Sequence, residues 1–124
     1  MGARIVALEA GTCVIEMPFS DGVSQQLGFF HGGSVGAIAD SAGGYAAMTL
    51  TPDGVEVLTS EYKINFLRPA AGDFIIAEGK VLKAGRSLTV ARVDIRVRNG
   101  GRETLCAAVQ QSIMQAPSRV QTHE

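Results

Sequence analysis

Two hydrophobic periods divide the chain, and their order predicts the architecture. From Gly33 the apolar residues Val35, Ile38, Ala39, Ala42, Tyr45 and Ala46 recur at helical spacing, until Thr51-Pro52-Asp53-Gly54 ends the run with turn chemistry. About five turns are implied, or roughly 27 Å at 1.5 Å per residue. On either side the period is two. Arg4 to Ala10 and Thr12 to Met17 are short β-branched runs parted by Gly11, which predicts a first hairpin. Pro18 to Phe30, with Ser20-Asp21-Gly22 and Gly28, reads as a loop holding one turn of helix. Beyond the long helix, Leu58, Ser60, Tyr62, Ile64 and Phe66 alternate with Val57, Thr59, Glu61, Lys63 and Asn65, so that Thr59 shares the face of Glu61, opposite Tyr62. Arg68 to Asp73 breaks this strand, Phe74 to Lys83 resumes extended character, and Ala84-Gly85-Arg86 turns the chain. Ser87 to Arg98 alternates most cleanly, with Ala91, Val93, Ile95 and Val97 on one face and Arg92, Asp94, Arg96 and Arg98 on the other, as in a sheet with one wet face. Asn99-Gly100-Gly101 then turns into a last strand, Glu103 to Met114, and residues 115–124 form a polar, frayed tail.

The predicted order is two strands, one helix, then four strands of a meander, which is an α+β arrangement in a single domain covering 1–124. A helix this apolar asks for a sheet that curls around most of it.

Composition bounds the function. With 124 residues and 46% apolar content, one core is expected and two are not. Eleven basic and twelve acidic residues, scattered through the chain for a net charge of -1, leave no footprint for nucleic acid. A local pair such as Lys83 and Arg86 still suffices to grip one phosphorylated ligand. The run Ile5-Val6-Ala7-Leu8 is too short for a secretory segment, and the glycines, serines and central acid of Gly32 to Leu50 argue against lipid, so the expected setting is cytoplasmic, with no membrane partner. Cys13 and Cys106 lie far apart without metal-ligand spacing and read as reduced core thiols; His31 and His123 suggest no metal either.

One charged residue interrupts the helical run. Asp40 has Gly36, Ala37, Gly43 and Gly44 three and four positions away, and all are too small to cover it. The three glycines give up about 2 to 3 kcal/mol of helical stability relative to alanine, a loss that either close helix–sheet packing or a groove would explain. Packing does not explain the acid. No Lys or Arg lies between residues 5 and 62 to neutralise it from nearby in sequence, and an unpartnered buried carboxylate is expensive.

These residues carry a resemblance. His31-Gly32-Gly33 at a helix start, followed by Asp40 nine positions after the histidine, is similar to the motif of the hotdog-fold acyl-CoA thioesterases of the phenylacetyl-CoA type. Gln25 to Phe30 upstream, Tyr62 to Pro69 downstream and Gly85-Arg86-Ser87 support the match over roughly residues 10 to 114. The resemblance implies a curved antiparallel sheet around one central helix. It also implies a dimer joined edge to edge, expected to pair further into a homotetramer, with active sites at the dimer interface. By the same resemblance Asp40 is the general base or nucleophile against an aryl-acetyl or medium-chain acyl-CoA, and the Gly32 amide polarises the thioester carbonyl. His31 orients the loop, Gln25 stands where relatives often carry a water-orienting Asn, and Thr59 stands where they often carry Ser. Gly33, Lys83, Gly85, Arg86 and Ser87 are implied to bind substrate, with CoA part of the substrate and no separate cofactor. Read from alternation alone, Thr59 serves equally well as a plain strand residue, and Tyr45, Met48 and Phe66 as core or acyl pocket. Two competing functions keep the same fold: a noncatalytic acyl-CoA sensor or scaffold, and a 3-hydroxyacyl thioester dehydratase.

Overall fold

Alternating β-branched runs become six strands, and the apolar run becomes one helix. A computed structural model describes residues 2–23 and 28–117. Its elements are β1 (Arg4–Glu9), β2 (Thr12–Pro18), α1 (Gly32–Met48), β3 (Val55–Phe66), β4 (Phe74–Ala84), β5 (Leu88–Asn99) and β6 (Arg102–Pro117), with a single 3-10 turn at Asp21–Val23. All strand pairings are antiparallel, and the spatial order is β1-β2-β4-β5-β6-β3. This is the hotdog arrangement, a curved sheet with one helix laid along its inner face. Gly100 and Gly101 adopt positive φ at the β5–β6 hairpin, a conformation that a side chain would strain.

Four expectations need correction. The four strands after the helix do not form one meander: only β4-β5-β6 do, while β4 pairs back onto β2 and β3 lies at the far edge beside β6. The helix crosses between β2 and β3 and carries the chain over the sheet, which separates β3 from its successor. Residues 115–117 belong to the last strand and not to a tail, because Val55, Glu56 and Val57 at the start of β3 give Pro117, Ala116 and Gln115 their partners.

Alternation along β3 is also broken. Thr59 pairs with Ile113 but Glu61 with Ser112, so a bulge inserts one extra residue at Ser60. Val55, Val57 and Thr59 lean inward before it, Tyr62, Ile64 and Phe66 after it, and Thr59 and Tyr62 therefore face the helix together. Tyr45, finally, is not in the buried stripe. Val35, Ile38, Ala39, Ala42 and Ala46 are buried against the sheet, whereas Ala37, Ser41, Tyr45 and Met48 face outward.

The core joins that buried stripe to Cys13, Ile15, Met17, Ile75, Ala77, Val93, Ile95 and Val109. Helix and sheet meet closely at Gly79, where a Cβ would stand 2.6 Å from the Ala42 carbonyl oxygen and 2.9 Å from the Gly43 nitrogen. The outer face carries the expected charges, among them Arg98 bridging Glu16 and Glu103 at 3.1 Å each.

Candidate active site

His31, in extended conformation, caps the helix by accepting the Gly33 N–H at Nδ1 over 2.9 Å, and its carbonyl accepts from Ser34 and Val35. Gly33 N–H is thereby engaged. Gly32 N–H has no acceptor among the described residues, at the end of the helix where free amides and the positive dipole concentrate. Gly32 lines an apolar cleft of about 510 Å³, walled also by Phe29, Phe30, Val35, Phe66, Leu67 and Pro69.

From there β3 runs antiparallel to α1 and lays three side chains along one helical stripe. Phe66 covers Gly32, the Tyr62 hydroxyl sits over Gly36, and Thr59 reaches Asp40. Asp40 Oδ1 accepts from Thr59 Oγ1 at 2.6 Å and from Gln111 Nε2 at 3.0 Å, and Gln111 Nε2 also lies 3.3 Å from Thr59 Oγ1. The hydroxyl thus accepts from the amide and donates to the carboxylate. Neither an ion pair nor a hydrogen bond to Oδ2 is formed among the described residues. The acid borders a second cleft, about 480 Å³, with Gly44, Tyr45, Met48 and Leu58.

The glycines divide their work. A Cβ at Gly36 would press on the Tyr62 hydroxyl, one at Gly43 would collide with the Gln111 amide, and one at Gly44 would meet nothing, since Gly44 lines the cleft. Gln111 is a residue that sequence reasoning missed. Its signal was present as the single polar member of the inward series Ala107, Val109, Gln111, Ile113 on β6. It is buried, and its Oε1 has no partner among the described residues, a state that costs about 1 to 3 kcal/mol for an ordinary neutral group.

The remaining predicted residues lie elsewhere. Lys83, Arg86 and Ser87 are exposed at the β4–β5 turn, which Gly85 closes by donating its N–H to the Leu88 carbonyl at 2.8 Å. That turn and the acid share one end of the sheet, because Thr89, Ile113 and Thr59 are paired neighbours across β5, β6 and β3. Two strand spacings, about 10 Å, separate Thr89 from Thr59. Gln25 lies outside the described residues. Among the described residues no group of three or more His, Cys, Asp or Glu could hold a metal ion, and no helix is long and apolar enough to cross a membrane.

Gly32 and Asp40 are eight residues apart on one helix, a rise of about 12 Å. Gly32 and Asp40 of one chain line different clefts.

Comparison with known proteins identifies the family and supports the fold. The family model described as Thioesterase superfamily matches residues 27–105. A protein of Saccharolobus solfataricus provisionally assigned as an esterase is 36% identical over 101 residues, covering 81% of this chain and 71% of its own length. The crystal structure of a thioesterase family protein from Silicibacter pomeroyi superposes with a TM-score of 0.92 at 39% identity, covering 94% of this chain and 86% of that one. The PaaI protein from the phenylacetic acid degradation operon of E. coli gives a TM-score of 0.82 at 25% identity, covering 94% and 81% respectively.

Proposed function

The chain belongs to the thioesterase superfamily and is a thioester hydrolase, and on that premise we propose that it cleaves an aryl-acetyl or medium-chain acyl-CoA through Asp40 and the Gly32 amide. The observation that carries this reading is the condition of the Asp40 carboxylate. Among the described residues both donors reach Oδ1, which leaves Oδ2 for chemistry on an acid that borders an open cleft.

As a base, Oδ2 takes a proton from water while the water oxygen bonds to the thioester carbon; the C–S bond then breaks and CoA leaves, ending as the thiol. As a nucleophile, Oδ2 itself forms the C–O bond, CoA leaves, and water cleaves the resulting anhydride. Either route develops negative charge on the carbonyl oxygen. The unengaged Gly32 N–H suits that charge, and donors of this kind are worth about 10²- to 10³-fold in kcat. His31, by capping Gly33, leaves Gly32 as the free amide, and Thr59 holds the acid.

A single carbonyl must sit about 3 Å from its donor and within one water of the acid. The 12 Å between the two groups on one helix is too far, so we assign the complete site to two copies, Gly32 from one and Asp40 from the other. β3 suits such a joint: it is an edge strand, and Leu58, Tyr62 and Phe66 on it remain exposed. Aromatic walls beside Gly32 favour a flat acyl group, which accords with the phenylacetic acid context of the PaaI relative. Lys83 and Arg86 are suited to the CoA phosphates, with Gly85 and Ser87 shaping that turn. The two buried free thiols suit a reducing cytoplasm.

Thiol release over a panel of phenylacetyl-, hexanoyl- and octanoyl-CoA tests the reading. Asp40→Asn should lower kcat by about 10³-fold or more while still binding a nonhydrolysable CoA thioether. No turnover of any thioester by the parent chain, or near-parental turnover by Asp40→Asn, would refute it.

A further inference from the structure

Gln111 stands in an unusual position for an amide. It lies on β6, opposite Tyr62 on one side and Ala91 on the other, 1% exposed and among apolar neighbours. Its nitrogen reaches both Asp40 Oδ1 and Thr59 Oγ1, while its oxygen is buried with no partner among the described residues. An amide placed for stability would engage both ends. Here the orientation is fixed by the acid, because turning the group over would set its carbonyl against a carboxylate, acceptor facing acceptor. The space it occupies exists only because residue 43 has no side chain: any Cβ there would collide with the amide.

We propose that Gln111 is a positioning residue for hydrolysis, and that the Gly43 gap exists to admit it. This inference rests on the assignment of Asp40 as the reactive acid. Thr59 and Gln111 approach the same carboxylate oxygen from two strands, which fixes the carboxylate in two directions. A single hydroxyl contact would leave it free to swing about that bond. With both donors in place Oδ1 is taken and Oδ2 is the oxygen left to react on an acid that lines the cleft, so the carboxylate meets the thioester without first being ordered. Gln111 does not touch substrate; it acts through Asp40.

Gln111→Met keeps the length and approximate volume of the side chain and removes the donor. Gly43→Ala keeps Gln111 and pushes its amide away from the acid. Thiol-release kinetics on whichever panel thioester the parent turns over fastest, together with thermal melts, should give a kcat lowered 10- to 100-fold for each variant. KM should stay within threefold and melting should remain cooperative. The double variant should be no slower than the worse single one, because both remove the same contact.

A kcat within twofold of the parent in Gln111→Met, with Asp40→Asn inactive, overturns this inference and leaves the function standing. A rise in KM at unchanged kcat, or loss of the cooperative melt in Gln111→Met, assigns the residue to packing and overturns it as well. Activity retained in Asp40→Asn, or absent in the parent, removes the function and this inference with it.

Discussion

At the scale of single residues, the hydroxyl at position 59 can be separated from its methyl group. Thr59 Oγ1 donates to Asp40 over 2.6 Å, and the contact needs only the hydroxyl. Thr59→Ser should keep kcat within about threefold, whereas Thr59→Val, with the same shape and no donor, should lower it roughly tenfold or more, as expected for a hydrogen bond to a charged group. Steady-state thiol release on the two variants checks this, and equal rates would reduce Thr59 to a strand residue. The cysteines give a second test, of the core. Burial pushes both thiols above their usual range; for Cys106 its own backbone hydrogen bond and the Arg68 charge offset part of that rise. A raised thiol holds less thiolate at a given pH, and thiolate is the reactive form. Iodoacetamide at pH 8 should therefore leave Cys13 and Cys106 unlabelled in the native protein and label both in guanidinium, as read by intact mass.

At the scale of elements, the close approach of α1 to β4 is the joint on which the site depends. Gly79→Ala would drive a methyl into the backbone of Ala42 and Gly43, next to the Gln111 amide. Overpacking of this kind costs about 1 to 3 kcal/mol, and several degrees in Tm; kcat should fall with it, since the helix carrying Asp40 moves. Calorimetry and kinetics on one preparation would show whether the two losses travel together. Element type and span were legible along the chain because each segment has one clean period: 3.6 from Gly33 onward, two in Ala91 to Val97. Strand order was not, because pairing β4 with β2 rather than β3 depends on where the helix sets the chain down. Nor was the bulge at Ser60. A single inserted residue leaves the composition of β3 unchanged yet reverses which residues face inward, and that is why Thr59 was assigned to the wrong face. The isolation of Asp40 could be read from spacing. Gln111 could not, since its contact spans 71 residues and its cue is one polar letter in an apolar strand.

At the scale of the whole molecule, the proposed two-copy site makes a claim that no single substitution can test. Gly32 acts through its backbone, but it is the first residue of α1, where proline is accepted because that N–H has no helical partner. The preceding His31 has φ -67 and ψ 136, the extended conformation a following proline requires. A Cβ at position 32 would meet only the Phe66 ring, at an ordinary 3.5 Å. Gly32→Pro should thus fold normally and lose only the donor. Purified alone, Gly32→Pro and Asp40→Asn should each be nearly inactive. Unfolded together and refolded as a mixture, half of the dimers would pair one copy of each. In such a pair one site receives the intact amide of the Asp40→Asn chain and the intact acid of the Gly32→Pro chain, while the other site receives both defects. Random pairing then restores about a quarter of the parental activity from two inactive preparations. If donor and acid served one thioester within a single chain, every site in the mixture would still carry a defect and activity would stay at the level of the separate variants.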